Sequence, residues 1–270
     1  MGTEYRYLNY YLDRERLRDT KLEVISLRCA LASMGFLNEN VQYNKSVIID
    51  TMVRHAKDAD IVIFGEAFLQ GFYGATFEIE HDEKLAIDQN DLIIKEICSI
   101  AKEYRIAVSF GFIEKVDECF YSSQITIDAN GTIIDVYRRV SPGWKEEFAN
   151  ERYCEGNGFH IFSYMDKKIA VGLCGDFWFD ENINEVKLLF PDVVFWPVYT
   201  DFNCDEWNAS VKHEYAEQAG KIGGSVLYVN SVCKDKEGSE IARGGAALFV
   251  DGVISKEIPS GKEDILLVEV

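Results

Sequence analysis

Three side chains of the types that nucleophilic catalysis needs follow apolar segments of this chain. Glu66 comes after residues 60–64, Arg139 ends the run 132–139, and Cys174 comes after residues 168–173. Ligands of open α/β sheets bind beyond the carboxyl ends of the strands, so we expect the three side chains to lie close together. A carboxylate can act as a base, a cation can stabilise an oxyanion, and a thiol can act as the nucleophile.

The local sequence around Cys174 suggests how its thiol could be activated. A helix predicted from about residue 180 would direct its N-terminal dipole at the thiol and favour the thiolate, and Gly175 would relieve a tight turn. The chain has seven scattered cysteines and no CxxC pair, which excludes a disulfide framework and a zinc site. The other six have no acid or cation in a matching context and are expected to be structural: Cys29, Cys98, Cys119, Cys154, Cys204 and Cys233.

Apolar segments that alternate with helical patterns predict the elements that position these groups. Strands are expected at residues 21–29, 60–66, 105–112, 167–174, 192–197 and 224–230, with short C-terminal strands at 245–250, 253–258 and 264–270. Helices are expected at 40–57, 90–104, about 180–190 and about 206–222, and Asn130-Gly131 predicts a hairpin with a type I′ turn. We predict one domain, residues 21–270, after an N-terminal extension, residues 1–20. Helices should cover one face of a mixed sheet and a second sheet the other.

Charge and hydropathy narrow the class of partner. The 28 basic and 46 acidic residues give a net charge of −18, which argues against binding to nucleic acid or to anionic lipid. No apolar run is long enough to cross a bilayer, and the first residues do not resemble a secretory signal. We therefore expect a cytoplasmic protein whose partner is a small molecule or another protein.

Three short motifs occur in an order that resembles one known family. They are Phe64-Gly65-Glu66, Tyr137-Arg138-Arg139 and the segment 174–181, CGDFWFDE. These are similar to the FPE, YRK and CYDxxFPE motifs of the carbon–nitrogen hydrolase (nitrilase/amidase) superfamily, and the similarity covers about residues 21–270. Three motifs in order are far more specific than any one of them.

The resemblance implies an αββα sandwich and a thiol hydrolase. Glu66 would be the general base, Cys174 the nucleophile, and a lysine would stabilise the tetrahedral intermediate. A small carboxamide would be cleaved through a thioester with release of ammonia, and nitrile hydrolysis is the less favoured activity. No metal or organic cofactor is implied. The resemblance also implies a homodimer or a larger homo-oligomer.

One departure from the family motifs concerns the cation. Arg139 occupies the position of the family lysine, and arginine is bulkier, forked and unable to give up a proton near neutral pH. Either Arg139 holds the oxyanion, or Lys145 reaches the vacant place from the following loop. We favour Lys145, and in that case its Nζ should lie near Glu66 while Arg139 points elsewhere. The alternative is a non-catalytic binding or regulatory protein of the same fold, because Arg139 stands at the position of the family lysine.

Three further glutamates are candidates for accessory roles through the same resemblance. Glu114 ends a predicted strand where the family frequently carries a glutamate near the site. Glu146 and Glu147 fall where the family often has a second glutamate that positions the lysine and the substrate.

Overall fold

Two six-stranded sheets form the centre of the computed structural model, which describes residues 26–270. The first sheet has the order β14-β1-β3-β4-β5-β6: Asp264–Glu269, Arg28–Ser33, Ile61–Phe64, Ala107–Val116, Cys119–Ile127 and Ile133–Arg138. The second has the order β13-β12-β10-β9-β8-β7: Val253–Ile258, Ala246–Val250, Ser225–Asn230, Val193–Val198, Lys167–Val171 and Ile161–Tyr164. A small parallel pair, β2 (Gly35–Phe36) and β11 (Val232–Cys233), lies outside both sheets.

Helices occupy most of the connections between strands. They are α1 (Val41–His55), α2 (Ile79–Leu85), α3 (Leu92–Tyr104), α4 (Asp180–Leu188), α5 (Cys204–Glu206) and α6 (Lys212–Ile222). A π-helical turn, Trp207–Val211, joins α5 to α6, and short 3-10 helices span Phe72–Gly74 and Cys174–Trp178. Polar side chains define two of the starts, because Asn40 accepts from the N–H of Tyr43 and Asp91 accepts from that of Ile93.

Alternate residues of the central strands face two different apolar clusters. In β3, Ile61 and Ile63 pack in the cluster that contains the second sheet, whereas Val62 and Phe64 pack against α1 and α3. On the second sheet, α4 and α6 contribute to the first cluster through residues such as Ile183 and Ala219. Both faces of each sheet are therefore covered, and the predicted αββα sandwich is confirmed.

Two local predictions differ from the structure. The first strand spans Arg28–Ser33 and so continues past its predicted end at residue 29, because the apolar run extends to Ala32; its predicted start at residue 21 lies outside the described residues. The hairpin turn is not type I′, since only Gly131 has a positive φ, 78°, where type I′ needs two such residues. The Asp128 side chain accepts from the N–H groups of Asn130 and Thr132 and stabilises the turn instead.

The predicted N-terminal extension, residues 1–20, lies outside the described residues, and the domain boundary at residue 21 stays a prediction. Within residues 26–270, no helix is both long and apolar enough to span a membrane.

Candidate active site

Hydrogen bonds between the two sheets bring Glu66 and Cys174 to the same end of the sandwich. Glu66 follows β3, and its N–H donates to the carbonyl oxygen of Val198, the last residue of β9 in the second sheet, at 3.2 Å. Cys174 follows β8, and its Sγ donates to the carbonyl oxygen of Tyr199, one residue further, at 3.3 Å. The expectation that these strand ends would converge is therefore met for the carboxylate and the thiol.

The Glu66 carboxylate is completely buried and only half satisfied. Its Oε1 accepts from Arg139 Nη1 at 2.9 Å and from Ser122 Oγ at 2.9 Å. Its Oε2 has no hydrogen-bond partner anywhere in residues 26–270. A buried carboxylate oxygen without a donor is costly, so this atom is an acceptor available to a proton from the thiol or from a ligand.

Arg139 fills the cationic position beside Glu66. Only 4% of the residue is exposed, and besides the ion pair its Nε donates to Ser141 Oγ at 3.0 Å. Burial opposes the charge of the guanidinium, but the neighbouring Glu66, Cys174 and Asp176 outweigh it and raise the pKa of Arg139. The site thus holds a permanent cation that donates hydrogen bonds and does not exchange protons.

Lys145 does not occupy the place expected for it. Its Nζ donates to the carbonyl oxygen of Tyr153 at 2.5 Å and pairs with Glu155 Oε1 at 2.7 Å. Because Arg139 already pairs with Glu66, no vacant cationic position remains beside that carboxylate, and the geometric expectation for Lys145 is wrong. Lys145 instead ties the segment after Pro142 to the segment around Tyr153.

The Cys174 thiol is held in its protonated form. Burial and the charge of Glu66 raise the pKa of Cys174 to about 12, although the guanidinium of Arg139 acts in the opposite direction. The expected thiolate is therefore not favoured, because α4 begins only at Asp180, after the 3-10 helix that contains Cys174, and its dipole does not offset burial beside a carboxylate. The strained turn also falls on Cys174 itself, with φ at 41°, and not on Gly175.

Asp176 is a positioning residue that the sequence pattern did not reveal. Its buried Oδ2 accepts from the hydroxyl of Tyr137 at 2.7 Å and from the N–H of Leu173 at 2.8 Å, and its Oδ1 accepts from the N–H of Ser141 at 2.8 Å. These bonds join the turn that carries Cys174 to the segment that carries Arg139. The only signal in the sequence was the presence of Tyr137 and Asp176 within the family motifs.

Replacing Tyr137 with Phe should destabilise the protein by about 1–3 kcal/mol, because the buried Asp176 carboxylate loses a donor. The free energy of unfolding from chemical denaturation measures the effect. Tyr104→Phe is the control, since Tyr104 ends α3, is 39% exposed, and its substitution should change stability by less than about 0.5 kcal/mol. Equal effects of the two substitutions would contradict the role of the Tyr137 hydroxyl.

Within residues 26–270, none of the three accessory glutamates has a hydrogen bond or an ion pair with Cys174 or Arg139. Glu114 is fully buried and satisfied by Arg138 Nε at 2.7 Å, Ser123 Oγ at 2.8 Å and Gln89 Nε2 at 2.9 Å. Glu146 and Glu147 are exposed, and among the described residues neither side chain makes a hydrogen bond or ion pair. Adjacent arginines of one strand end thus serve different buried glutamates, Arg138 for Glu114 and Arg139 for Glu66.

Replacing Glu66 with Gln should lower the pKa of the Cys174 thiol from its value of about 12. The carboxylate charge raises that pKa, and its removal also leaves the charge of Arg139 unopposed. A pH titration of thiolate absorbance, with the trace of a Cys174→Ser variant subtracted, measures the change in pKa. A fall of one unit in the pKa of Cys174 corresponds to about 1.4 kcal/mol.

The matched control for that titration is Glu114→Gln, which neutralises a second buried glutamate that pairs with an arginine. It should leave the titration of Cys174 close to that of the original protein. An unchanged or higher pKa in the Glu66→Gln variant would show that Glu66 is not the charge that holds the thiol protonated.

Comparison with known proteins agrees with the fold. An N-carbamoylputrescine amidase from Arabidopsis thaliana is 32% identical over 149 residues, which is 53% of this chain and 48% of that protein. A citrullinase from Francisella tularensis is 23% identical over 245 residues, or 80% of this chain and 84% of that protein. The chain spans about half the length of the first curated relatives that it matches.

A solved amidase from Nesterenkonia sp. has the same fold, with a TM-score of 0.75 and 19% identity over 90% of each chain. The model of one family, described as carbon-nitrogen hydrolase, matches residues 9–270. That match spans nearly the whole sequence, including the segments that carry Glu66, Arg139 and Cys174. This chain belongs to the carbon–nitrogen hydrolase family.

Proposed function

We propose that the protein is a thiol-dependent amidohydrolase that cleaves the C–N bond of a small carboxamide or ureido compound. The observation that carries the proposal is the buried Glu66, in an ion pair with Arg139 at the same end of the sandwich as Cys174. Its Oε2 has no hydrogen-bond partner among the described residues. Base, cation and nucleophile are thus held by three different strand ends, as nucleophilic acyl transfer requires.

In the first half of the reaction, Cys174 Sγ attacks the carbonyl carbon and its proton passes to Glu66 Oε2. The carbonyl oxygen becomes an oxyanion, and the guanidinium of Arg139 stabilises that negative charge. When the intermediate collapses, the C–N bond breaks and the leaving nitrogen takes the proton from Glu66. Ammonia departs and a thioester remains, or a thiocarbamate if the substrate is a ureido compound.

In the second half, Glu66 takes a proton from water and the resulting hydroxide attacks the acyl carbon. The C–S bond breaks, and the sulfur recovers its proton from Glu66. Arg139 exchanges no proton, so all proton transfer in both halves depends on Glu66. A protonated resting thiol suits this scheme, because the proton that Glu66 needs for the leaving nitrogen is supplied by Cys174 itself.

The names of the relatives favour a ureido substrate over a simple amide. The relatives named above are an N-carbamoylputrescine amidase and a citrullinase, and both of the compounds in those names end in a ureido group. We include small carboxamides in the proposal, because the solved neighbour with the same fold is called an amidase.

Ammonia release from purified protein tests the proposal against a panel of N-carbamoyl amines, N-carbamoyl amino acids and small carboxamides. We expect turnover of at least one class, and intact-protein mass spectrometry should trap an acyl adduct that is missing from a Cys174→Ala variant. Folded protein that releases no ammonia and forms no adduct with any compound would refute the proposal.

One pair of observations favours a second candidate, a non-catalytic binding protein of the same fold. The arginine locks one oxygen of Glu66 into an ion pair, and the pKa of Cys174 is raised to about 12. Under this alternative, the panel compounds would stabilise the protein against thermal unfolding without being consumed. The same panel therefore separates the two functions.

Assembly and location are part of the proposal. Exposed apolar side chains follow the nucleophile turn, including Trp178 at 41%, Phe179 at 39% and Leu188 at 73% exposure. We propose that this face pairs two copies of the chain. As a separate part of the proposal, we place the protein in the cytoplasm. Light scattering after size exclusion should give the mass of at least two chains, and the mass of a single chain would refute the pairing.

A further inference from the structure

Gly175 leaves the space that the Arg139 guanidinium occupies. A Cβ atom built on Gly175 would lie 2.6 Å from Arg139 Nη2 and 3.3 Å from Ser141 Oγ, and real Cβ atoms essentially never approach other heavy atoms to within 3.0 Å. The φ of Gly175 is not in the left-handed region, so backbone conformation does not call for glycine at this position. The requirement for glycine comes from the guanidinium of Arg139 beside it.

The guanidinium cannot simply move aside. Its Nη1 is bound to the buried Glu66 and its Nε to Ser141, and Ser141 is in turn fixed by Asp176 through its N–H. Displacing the group would leave the charge of Glu66 buried and unpaired, which is strongly unfavourable. A side chain at position 175 would therefore compete with the cation for one space.

We propose that Gly175 is a positioning residue, which acts by holding open the space that lets an arginine serve as the cation of this site. A lysine has no second terminal nitrogen, so it would not need this space. The larger cation therefore requires the smaller neighbour.

This inference deepens the proposed function, but its main test does not need turnover. Four proteins are compared: the original chain, Gly175→Ala, Arg139→Lys and the double variant. The two measurements are the thermal midpoint of unfolding and the pKa of the Cys174 thiol, from thiolate absorbance with a Cys174→Ser trace subtracted. The proposed function could fail its ammonia test while these measurements still support the coupling between Gly175 and Arg139.

In the original background, Gly175→Ala should lower the thermal midpoint by about 5 °C or more and raise the pKa of Cys174. The pKa should rise because the guanidinium, whose charge lowers it, is pushed away. In the Arg139→Lys background, the same substitution should change neither quantity appreciably. Where turnover is measurable, Gly175→Ala should lower kcat about 10²-fold, since small displacements of a catalytic group have effects of this size.

Gly74→Ala is the matched control, because Gly74 also lies in a 3-10 helix and has no positive φ. A Cβ atom built on Gly74 would lie 3.1 Å from its nearest neighbour, the side chain of Leu85. This control should leave the pKa of Cys174 unchanged. Equal losses from Gly175→Ala in the arginine and lysine backgrounds, or no loss in either, would overturn the proposal.

If the Gly175→Ala chain does not fold, the double variant decides the question. Recovery of folded protein on adding Arg139→Lys supports the proposal, and failure to recover overturns it. If Arg139→Lys alone does not fold, Arg139→Ala takes its place as the background that removes the guanidinium.

Discussion

Cys174→Ala should reduce ammonia release by about 10³-fold or more, because the substitution removes the only atom that forms the covalent bond to the substrate. The cost in stability should be small, since within residues 26–270 the thiol makes a single hydrogen bond, to the carbonyl oxygen of Tyr199. Steady-state turnover on the best compound of the panel and the thermal midpoint of unfolding measure the two effects. A large loss of turnover in a fully folded protein is the expected result.

Cys98→Ala is the control for this loss. Cys98 is also a partly buried free cysteine, but it lies on α3, packed in the cluster that covers the outer face of the first sheet. Its substitution should leave turnover close to that of the original protein. Turnover that survives Cys174→Ala, or that falls equally in both variants, would remove Cys174 from the mechanism.

The positions of Glu66 and Cys174 could be predicted because they depend on strand periodicity. Each side chain directly follows a continuous apolar run, and such runs become buried strands whose ends meet at one edge of a sheet. The same reasoning placed the four predicted helices and the hairpin within a few residues of their observed bounds, but it did not predict α2 (Ile79–Leu85). It ended the first strand too early, at residue 29 instead of Ser33, because residues on both sides of Arg28 satisfy the same pattern.

The roles of the polar partners could not be predicted in this way. Ser122 donates to Glu66 and the N–H of Ser141 donates to Asp176, and both bonds join segments that are far apart in sequence. Nothing in the local pattern indicates those bonds. The expected position of Lys145 was wrong for a related reason. Its long side chain can reach several sites from its loop, and the choice is made by Glu155 and the carbonyl oxygen of Tyr153, which only the tertiary structure brings near.

Arg139→Ala should lower turnover by about 10²- to 10³-fold, the loss that follows removal of one oxyanion donor. It should also destabilise the protein by about 3–5 kcal/mol, because Glu66 is left buried without its partner. Arg139→Lys keeps a cation and should recover part of both losses. Turnover and the free energy of unfolding are measured on each variant, at a temperature where all remain folded.

Lys145→Ala tests the other candidate for the catalytic cation. Lys145 pairs with Glu155 at a partly exposed position, where ion pairs contribute at most about 1 kcal/mol, and its Nζ is directed to Tyr153 and Glu155 rather than to Glu66. Its loss should therefore change turnover no more than a few-fold. If Lys145→Ala instead abolished turnover while Arg139→Ala preserved it, the catalytic cation would have to be Lys145, and the segment after Pro142 would have to rearrange when substrate binds. The ratio of the losses of turnover in Arg139→Ala and Lys145→Ala thus decides whether the catalytic cation of this site is Arg139 or Lys145.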